Sequence, residues 1–583
     1  MTSSEHAERA AIQCFLNCYI KETGNGEFYE SYQPRLIEAA RDHVLKVSLP
    51  HQQLNIYVPL RYWSLTGRHL FAFPIYYGCS EDQLMEGDYI TLTALLCREL
   101  MIEYKRVDTQ DELMLRVILS CQNIKRYLSE RLKDEQQLSA TDFSFIEAEQ
   151  SLLIGHLLHP TPKSKQGMTA LEEALYAPEL QGSFALHYFQ VHHSLVVQDS
   201  TVDRTAQELV AQQLQQEGVT IEQKTGYCLL PAHPLQAREL LQREDVQQLM
   251  RQELIYSLGQ LGRPYAATSS LRTVYEQKAP YMYKFSVPVK ITNSLRVNKQ
   301  KELARGVEMS SLWKNGLKQA VHTHFPDFHI IQDPAYLTVN LADEESGFEV
   351  VIRENPFLDQ AQHVSLIAGL CQDLRSGGPN RLTVIIKEIA AREGRTTEEV
   401  SVDWFHRYVQ CSLLPMLFLY ETYGLALEAH QQNSVLALQD GYPSAFYYRD
   451  NQGYYYAESK ADELRALCPA LSEHSETICS AEVADERLRY YLFFNHYFGL
   501  INAFGCGKLV GEEVLLSIVR TYLQQQKSSP LLTSLLEHES LACKANLLTR
   551  FFDMDELVGA MEDQSVYVSV ANPLLLKEVL QHV

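Results

Sequence analysis

Four segments of the chain gather basic, hydroxyl and amide side chains at spacings that suit an anionic ligand. The first, GHLLHPTPKSKQG, places His156, His159, Lys163 and Lys165 within ten residues, stiffened by Pro160 and Pro162. Proline fixes the local backbone, so these basic groups can converge with little loss of chain entropy; a solvated basic loop is the competing reading. The two histidines lack an adjacent third ligand, which disfavours a metal centre. The second segment, ATSSLRTVY, interleaves Thr268, Ser269, Ser270 and Thr273 with Arg272. A planar guanidinium fork beside hydroxyl donors matches phosphate oxygens, and each charge-assisted bond contributes about 1.5–3 kcal/mol. Taken alone, a helix N-cap with a surface arginine explains the same letters better.

The third segment, YKFSVPVKITNSLRVN, sets Lys284 and Lys290 ahead of Thr292, Asn293 and Arg296. Its apolar alternation predicts a strand feeding a polar end, where a carboxylate-rich ligand finds charge and hydrogen bonds. A lysine-decorated edge strand fits equally well. Arg353 follows an apolar strand in VVIRENP and serves either a ligand or an ordinary ion pair. The fourth, LALEAHQQNSVLAL, would place Glu428, His430 and Gln432 on one side if extended, with Asn433 beside them. Asp450 returns on the next predicted strand, in FYYRDNQG. Two carboxylates with a neighbouring amide are the hard oxygen donors that Mg²⁺ takes together with bound phosphates. Left unpartnered in this apolar setting they would be costly. Neither GxxxxGK[ST] nor a strand-to-helix GxGxxG occurs, so phosphates would be held mainly by side chains.

These segments need a scaffold of mixed α+β elements. In residues 1–148 a capped N-terminal helix, with Thr2 and Glu5 at capping-box spacing and Gly24 and Gly26 as its stop, precedes a hairpin of LNIYVPLRYW with HLFAFPIYYG through Thr66-Gly67. Helical periodicity with many surface charges follows from about 89 to 135. Residues 149–355 carry short β-like runs and most of the polar constellations. From 356 to 583 long helices dominate, interrupted by the β insert SVLALQDGYPSAFYYRDNQGYYY with Asp440-Gly441 and Asn451-Gln452-Gly453 as turns.

Bulk properties exclude several classes. The chain has 583 residues, 46% apolar and 21% charged, with a formal charge of −22. A duplex-binding protein needs a basic face, and no basic block is present, so nucleic acid is not expected. No apolar run approaches the roughly 18 residues of a membrane span, and the N-terminus lacks the pattern of a secretory signal. Twelve scattered cysteines without a CxxC pair predict reduced, mostly buried thiols in a cytoplasmic protein.

Taken in order, GHLLHPTPKSKQG, LLPAHPLQ, TSSLRTV, VKITNSLR, IRENP, LEAHQQN, YYRD, NHYFGLI and KANLLTR resemble the NRPS-independent siderophore (NIS) synthetases, the family that includes aerobactin synthetase. The resemblance spans most of the chain. It implies a hand-shaped fold with a thumb (1–148), mostly β fingers (149–355) and a helical palm (356–583). It also implies an ATP-dependent carboxylate–amine ligase that adenylates citrate or a citryl derivative and condenses it with an amine or alcohol, releasing AMP and pyrophosphate. By motif position, Ser270, Arg272 and Thr273 would hold ATP, supported by Asn433. His159, Lys163, Lys284 and Arg353 would supply charge at the α-phosphate. Thr292, Asn293, Arg296, His430 and Gln432 would recognise citrate, and Glu428 and Asp450 would bind Mg²⁺. A homodimer is the usual assembly in such proteins.

Two departures stand out: Leu157 replaces the usual proline after His156, and Lys165 stands where arginine is common. The first weakens any role for His156, and the second loses bidentate geometry while keeping charge. The main rival reading is a non-catalytic siderophore-binding or ferric-siderophore reductase-like protein, but Cys468, Cys479, Cys506 and Cys543 are spaced unsuitably for a cluster. A phosphotransferase is a second rival, lowered by the missing HRD and DFG signatures.

Overall fold

Local chemistry accounts for the first element. The Thr2 hydroxyl accepts from the Glu5 amide at 3.2 Å and the Glu5 carboxylate accepts from the Thr2 amide at 2.6 Å, closing the expected capping box of the helix Ser3–Thr23. Gly24, at φ 68°, ends that helix in the left-handed conformation glycine adopts without strain. The computed structural model describes residues 1–39, 43–106, 110–222, 224–292, 294–341, 345–374, 379–450, 452–554 and 565–575. Its architecture is mixed α+β.

Three larger apolar cores organise the chain. The first joins Ile12, Phe15 and Leu16 of the N-terminal helix to the sheet residues Val47, Ile56 and Val58 and to Leu113 and Val117 of the helix Gln110–Glu130. Ala545, Leu547, Leu548 and Phe551 from near the C-terminus complete it. The predicted hairpin forms: Leu54–Tyr62 pairs antiparallel with Leu70–Phe71 and Ile75–Gly78. The charges of the 89–135 region do not all face water, since Arg116 and Arg131 are buried.

The second core fills an eight-stranded antiparallel sheet that curls into a half-barrel. Its order is Tyr227–Ala232, Ser183–His192, Ile255–Ala267, Thr273–Tyr275, Tyr281–Phe285, Val350–Glu354, Ala335–Val339 and Val196–Ser200. Buried Tyr188, Tyr265 and Tyr283 pack beneath it with Leu209, Val210 and Leu214 of the helix Ala206–Gln216. The segment read as one strand from Lys284 to Arg296 is broken: Tyr281–Phe285 ends, and a separate hairpin of Lys290–Ile291 with Ser294–Leu295 turns at Thr292, φ 53°. That hairpin joins Lys165–Gln166 in a three-stranded sheet.

The third and largest core is helical, built around Trp404, Tyr408 and Phe504. The β insert stands within it: Ser434–Gln439 pairs with Tyr442–Tyr448 across Asp440 (φ 53°) and Gly441 (φ 85°), both left-handed as a two-residue hairpin demands. Tyr454–Ala457 pairs instead with Leu425–Leu427. The run ERLRYYLFFNHYFGLINAFG is helical throughout but widens to π-helical geometry over Arg489–Tyr497. Nine of the twelve cysteines are buried; Cys79 is exposed and Cys479 and Cys506 are partly exposed. No described helix is long and apolar enough to cross a membrane.

Candidate active site

Strand ends and tight loops from distant stretches of the chain converge on one cleft of about 370 Å³. His159, Lys163, Ser270, Arg272, Thr273, Lys284, Thr292, Arg296, Arg353, Glu428, His430, Gln432, Asn433 and Asp450 all line it. Asn293 lies outside the described residues.

The TSSLRT segment is not a helix N-cap. It is the turn between Ile255–Ala267 and Thr273–Tyr275, closed by Thr268 Oγ1 donating to the Thr273 carbonyl (2.8 Å) and the Thr273 amide donating to Ser270 Oγ (3.1 Å). Nor is Arg272 on an accessible surface loop, being only 3% exposed. Its guanidinium donates to Asn298 Oδ1 at 2.9 Å and to Gln452 Oε1 at 3.0 Å, both neutral. Burial, then repulsion from Arg296, lowers its pKa to about 10. A buried cation bonded to amides rather than to a carboxylate is the arrangement an arriving anion stabilises.

Facing it, Lys284 Nζ donates to Asp450 Oδ1 at 3.0 Å. Burial brings the lysine down to about 8. Burial alone would raise the Asp450 carboxyl, but Lys284 and Arg353 outweigh it and hold Asp450 well below the usual carboxylate range. Arg353 resolves its ambiguity both ways: it lines the cleft and pairs bidentately with Asp333 at 2.7 and 2.8 Å. Lys163 is more committed. Its ammonium and that of Lys165 straddle buried Glu179 at 2.5 and 2.6 Å, so one carboxylate offsets part of the charge of the two lysines.

The LEAHQQN segment is not extended beyond Leu427. It leaves the strand Leu425–Leu427 and turns over residues 431–433, so alternation does not arrange its side chains. His430 Nδ1 instead accepts from the Gln432 and Asn433 amides at 3.2 and 3.4 Å, which puts the ring proton on Nε2. Burial lowers His430 to about 4, so it is a neutral hydrogen-bond donor near neutral pH. Burial, then Asp450, raises Glu428 to about 7. Asn433 Nδ2 donates to Asp450 Oδ2 at 3.2 Å, and Gln432 Nε2 to Ser269 Oγ at 3.2 Å.

Sequence reading missed the groups that hold these in place. Buried Glu149 accepts from the Ser269 amide at 2.9 Å and pairs with Arg449 at 2.7 Å, while Arg449 also donates to the Gln432 carbonyl at 3.0 Å. One carboxylate thus ties the TSSLRT, HQQN and YYRD segments together. Arg449, adjacent to Asp450 in YYRD, carried a signal; Glu149 and Glu179 carried none.

The donor set fits a nucleotide with its cation. Arg272, Lys284 and Arg353 supply buried positive charge, and Glu428 and Asp450 are two carboxylates close enough for one to shift the other. Among the described residues no group of three or more His, Cys, Asp or Glu could hold a metal alone. Mg²⁺ commonly takes one or two carboxylates and completes its shell with phosphate and water, and Glu428 and Asp450 are the carboxylates that would serve it here.

Comparisons with known proteins follow the same line. The profile described as "IucA / IucC family" matches residues 144–372, and one described as "Ferric iron reductase FhuF-like transporter" matches residues 402–559. A spermidine-citrate ligase of Bacillus anthracis is 46% identical over 592 residues, covering 98% of each chain. The rhizobactin siderophore biosynthesis protein RhbC of Rhizobium meliloti is 34% identical, covering 99% of this chain and all of its own. ATP-bound aerobactin synthetase IucA from a hypervirulent pathotype of Klebsiella pneumoniae superimposes with a TM-score of 0.88 at 28% identity, covering 97% of this chain and 99% of that one. With full-length identity at this level and a shared fold, the chain belongs to the IucA / IucC family of NIS siderophore synthetases.

Proposed function

We propose that this protein is a citrate–amine ligase of siderophore biosynthesis, which activates a citrate carboxylate with ATP as an acyl-adenylate and transfers it to an amine. The observation that carries the reading is Arg272, a buried cation held by neutral amides in a cleft shared with Lys284 and Arg353. Spermidine is the first amine to test, given the relative of that name.

Citrate is a poor electrophile until one carboxylate oxygen becomes part of a good leaving group. Attack of that oxygen on the α-phosphorus of ATP, with departure of pyrophosphate, makes the acyl-adenylate; attack of the amine on the acyl carbon then expels AMP. Arg272, Ser270 and Thr273 bind phosphate oxygens, and Lys284, Arg353 and His159 oppose the charge that develops at the α-phosphate. Lys163 adds charge as well, though part of it is offset by Glu179, which it shares with Lys165. Thr292, Asn293, Arg296, His430 and Gln432 orient the carboxylates and hydroxyl of citrate, and Asn433 steadies Asp450. Glu428 and Asp450 would hold Mg²⁺, which supplies charge neutralisation to the phosphates. No cysteine lines the cleft among the described residues, and the scheme needs no protein nucleophile.

The reading includes a hand-shaped division into thumb (1–148), fingers (149–355) and palm (356–583), with apolar cores that cross these bounds: the helical core takes in Phe145 and Met309, and the N-terminal core takes in Phe551. It also includes a cytoplasmic homodimer, which cell fractionation and light scattering of purified protein test. Hydroxylamine-trapped adenylation tests the activity, using ATP, Mg²⁺ and citrate, α-ketoglutarate or succinate. Citrate-dependent hydroxamate is expected; no hydroxamate with any acid, together with no ATP binding, overturns the reading.

The match over residues 402–559 favours one rival, a ferric-siderophore reductase-like or siderophore-binding role. Cys468 and Cys543 are buried, and Cys506 and Cys543 donate to the Asn502 side chain and the Lys544 carbonyl. A visible absorbance band in freshly purified protein would support that rival.

A further inference from the structure

The helix Gln110–Glu130 has two working faces. Leu113, Val117, Cys121, Ile124 and Leu128 form its apolar stripe. Arg116, Ser120, Asn123 and Tyr127 recur at the same helical period on a second face, and that face grips the substrate cleft. Ser120 Oγ accepts from the Lys163 amide at 2.9 Å, Asn123 Nδ2 donates to the Lys163 carbonyl at 2.8 Å, and the Tyr127 hydroxyl accepts from Lys165 at 3.1 Å.

Arg116 reaches furthest. It is 1% exposed, and its Nη1 donates to the Thr292 carbonyl at 2.6 Å while Nη2 donates to Gln166 Oε1 at 3.2 Å. Nε is held by Glu112 at 2.6 Å, and Arg550 shares that carboxylate at 3.3 Å. The contacts fall on the small sheet that presents Thr292 and Arg296 to the cleft. Thr292 occupies the left-handed region at φ 53°, a conformation that costs a β-branched residue energy and persists only where neighbours impose it. Arg296 Nη2 in turn donates to the Ile291 carbonyl at 3.2 Å and to Thr292 Oγ1 at 3.4 Å, so the turn and the arginine are set together.

We propose that Arg116 is a positioning residue for the carboxylate substrate, fixing the Thr292 turn from a helix none of whose described residues lines the cleft. This rests on the reading of Thr292 and Arg296 as carboxylate-recognition residues. The guanidinium fork spans two acceptors, one on the Thr292 turn and one on the strand Lys165–Gln166, which a lysine ammonium at the end of a flexible stem does not reproduce.

Full-length Arg116→Lys and Arg116→Met are compared with wild type for kcat and for KM toward citrate and ATP separately. The expected result for Arg116→Lys is a rise of about tenfold or more in citrate KM, with ATP KM within about twofold; Arg116→Met moves citrate KM further in the same direction. An unchanged citrate KM, or citrate and ATP KM rising together as a merely structural defect would cause, overturns the proposal. Wild-type protein without citrate-dependent turnover would instead overturn the reading of the site, and the proposal with it.

Discussion

Two cationic clusters face the same cleft, and they are built on opposite principles. Lys163 and Lys165 share buried Glu179, whose carboxyl their charges hold down to about 2 against the rise that burial alone would cause. Arg272 has neutral amides for partners. The first cluster has a counter-charge before any ligand arrives, one carboxylate between two ammonium groups, so much of its charge serves to pin the loop of residues 156–165. The second is left for a ligand to complete. A basic motif in sequence therefore does not announce a binding charge; the buried counter-charge decides it.

Each cluster can be broken separately. The largest effect is expected from Glu179→Gln, which strands two buried ammonium groups: chemical denaturation should show a loss of about 3–5 kcal/mol. A loss below about 1 kcal/mol would mean that the pair is solvated like a surface bridge. Arg272→Ala should lower kcat/KM about 10²–10³-fold, with a stability loss of only about 1–3 kcal/mol from the Asn298 and Gln452 oxygens left without their donor. Full activity in that variant would remove Arg272 from the phosphate site. Asp450→Asn should raise the half-saturating Mg²⁺ concentration by about tenfold; an unchanged Mg²⁺ titration counts against its ligand role. Acid dependence reports on the same lysine–glutamate cluster. Glu179 titrates at about 2 when folded against an ordinary 4.5. The stability it contributes is therefore complete above pH 4.5 and lost as the pH falls toward 2. Stability measured across that window should fall less steeply for Glu179→Gln than for wild type.

The same contrast explains what the sequence made legible. That Arg272, Asp450, Glu428 and His430 would meet in one cleft was readable because their types cluster in short segments beside turns and strand ends. The N-terminal capping box and the Asp440-Gly441 hairpin were readable because they are local. Glu179, Asp333 and Glu149 sit in unremarkable surroundings and meet their partners across the fold, Glu149 reaching Ser269 from 120 positions away. Arg116 looked like a charge on a solvated helix face until the Thr292 turn covered it. The break after Phe285 was missed because apolar alternation continues past it through Val287, Val289 and Ile291, and the turn at residues 431–433 was missed because it is held by a side chain, the Gln432 amide donating to His430 Nδ1.

The most direct test of the ligase account is the fate of ATP in a reaction with Mg²⁺, citrate and spermidine. The account predicts AMP and pyrophosphate in equal amounts, formed in step with a citryl amide and dependent on both citrate and amine. Formation of ADP and inorganic phosphate would contradict it, placing the chemistry at the γ-phosphate instead.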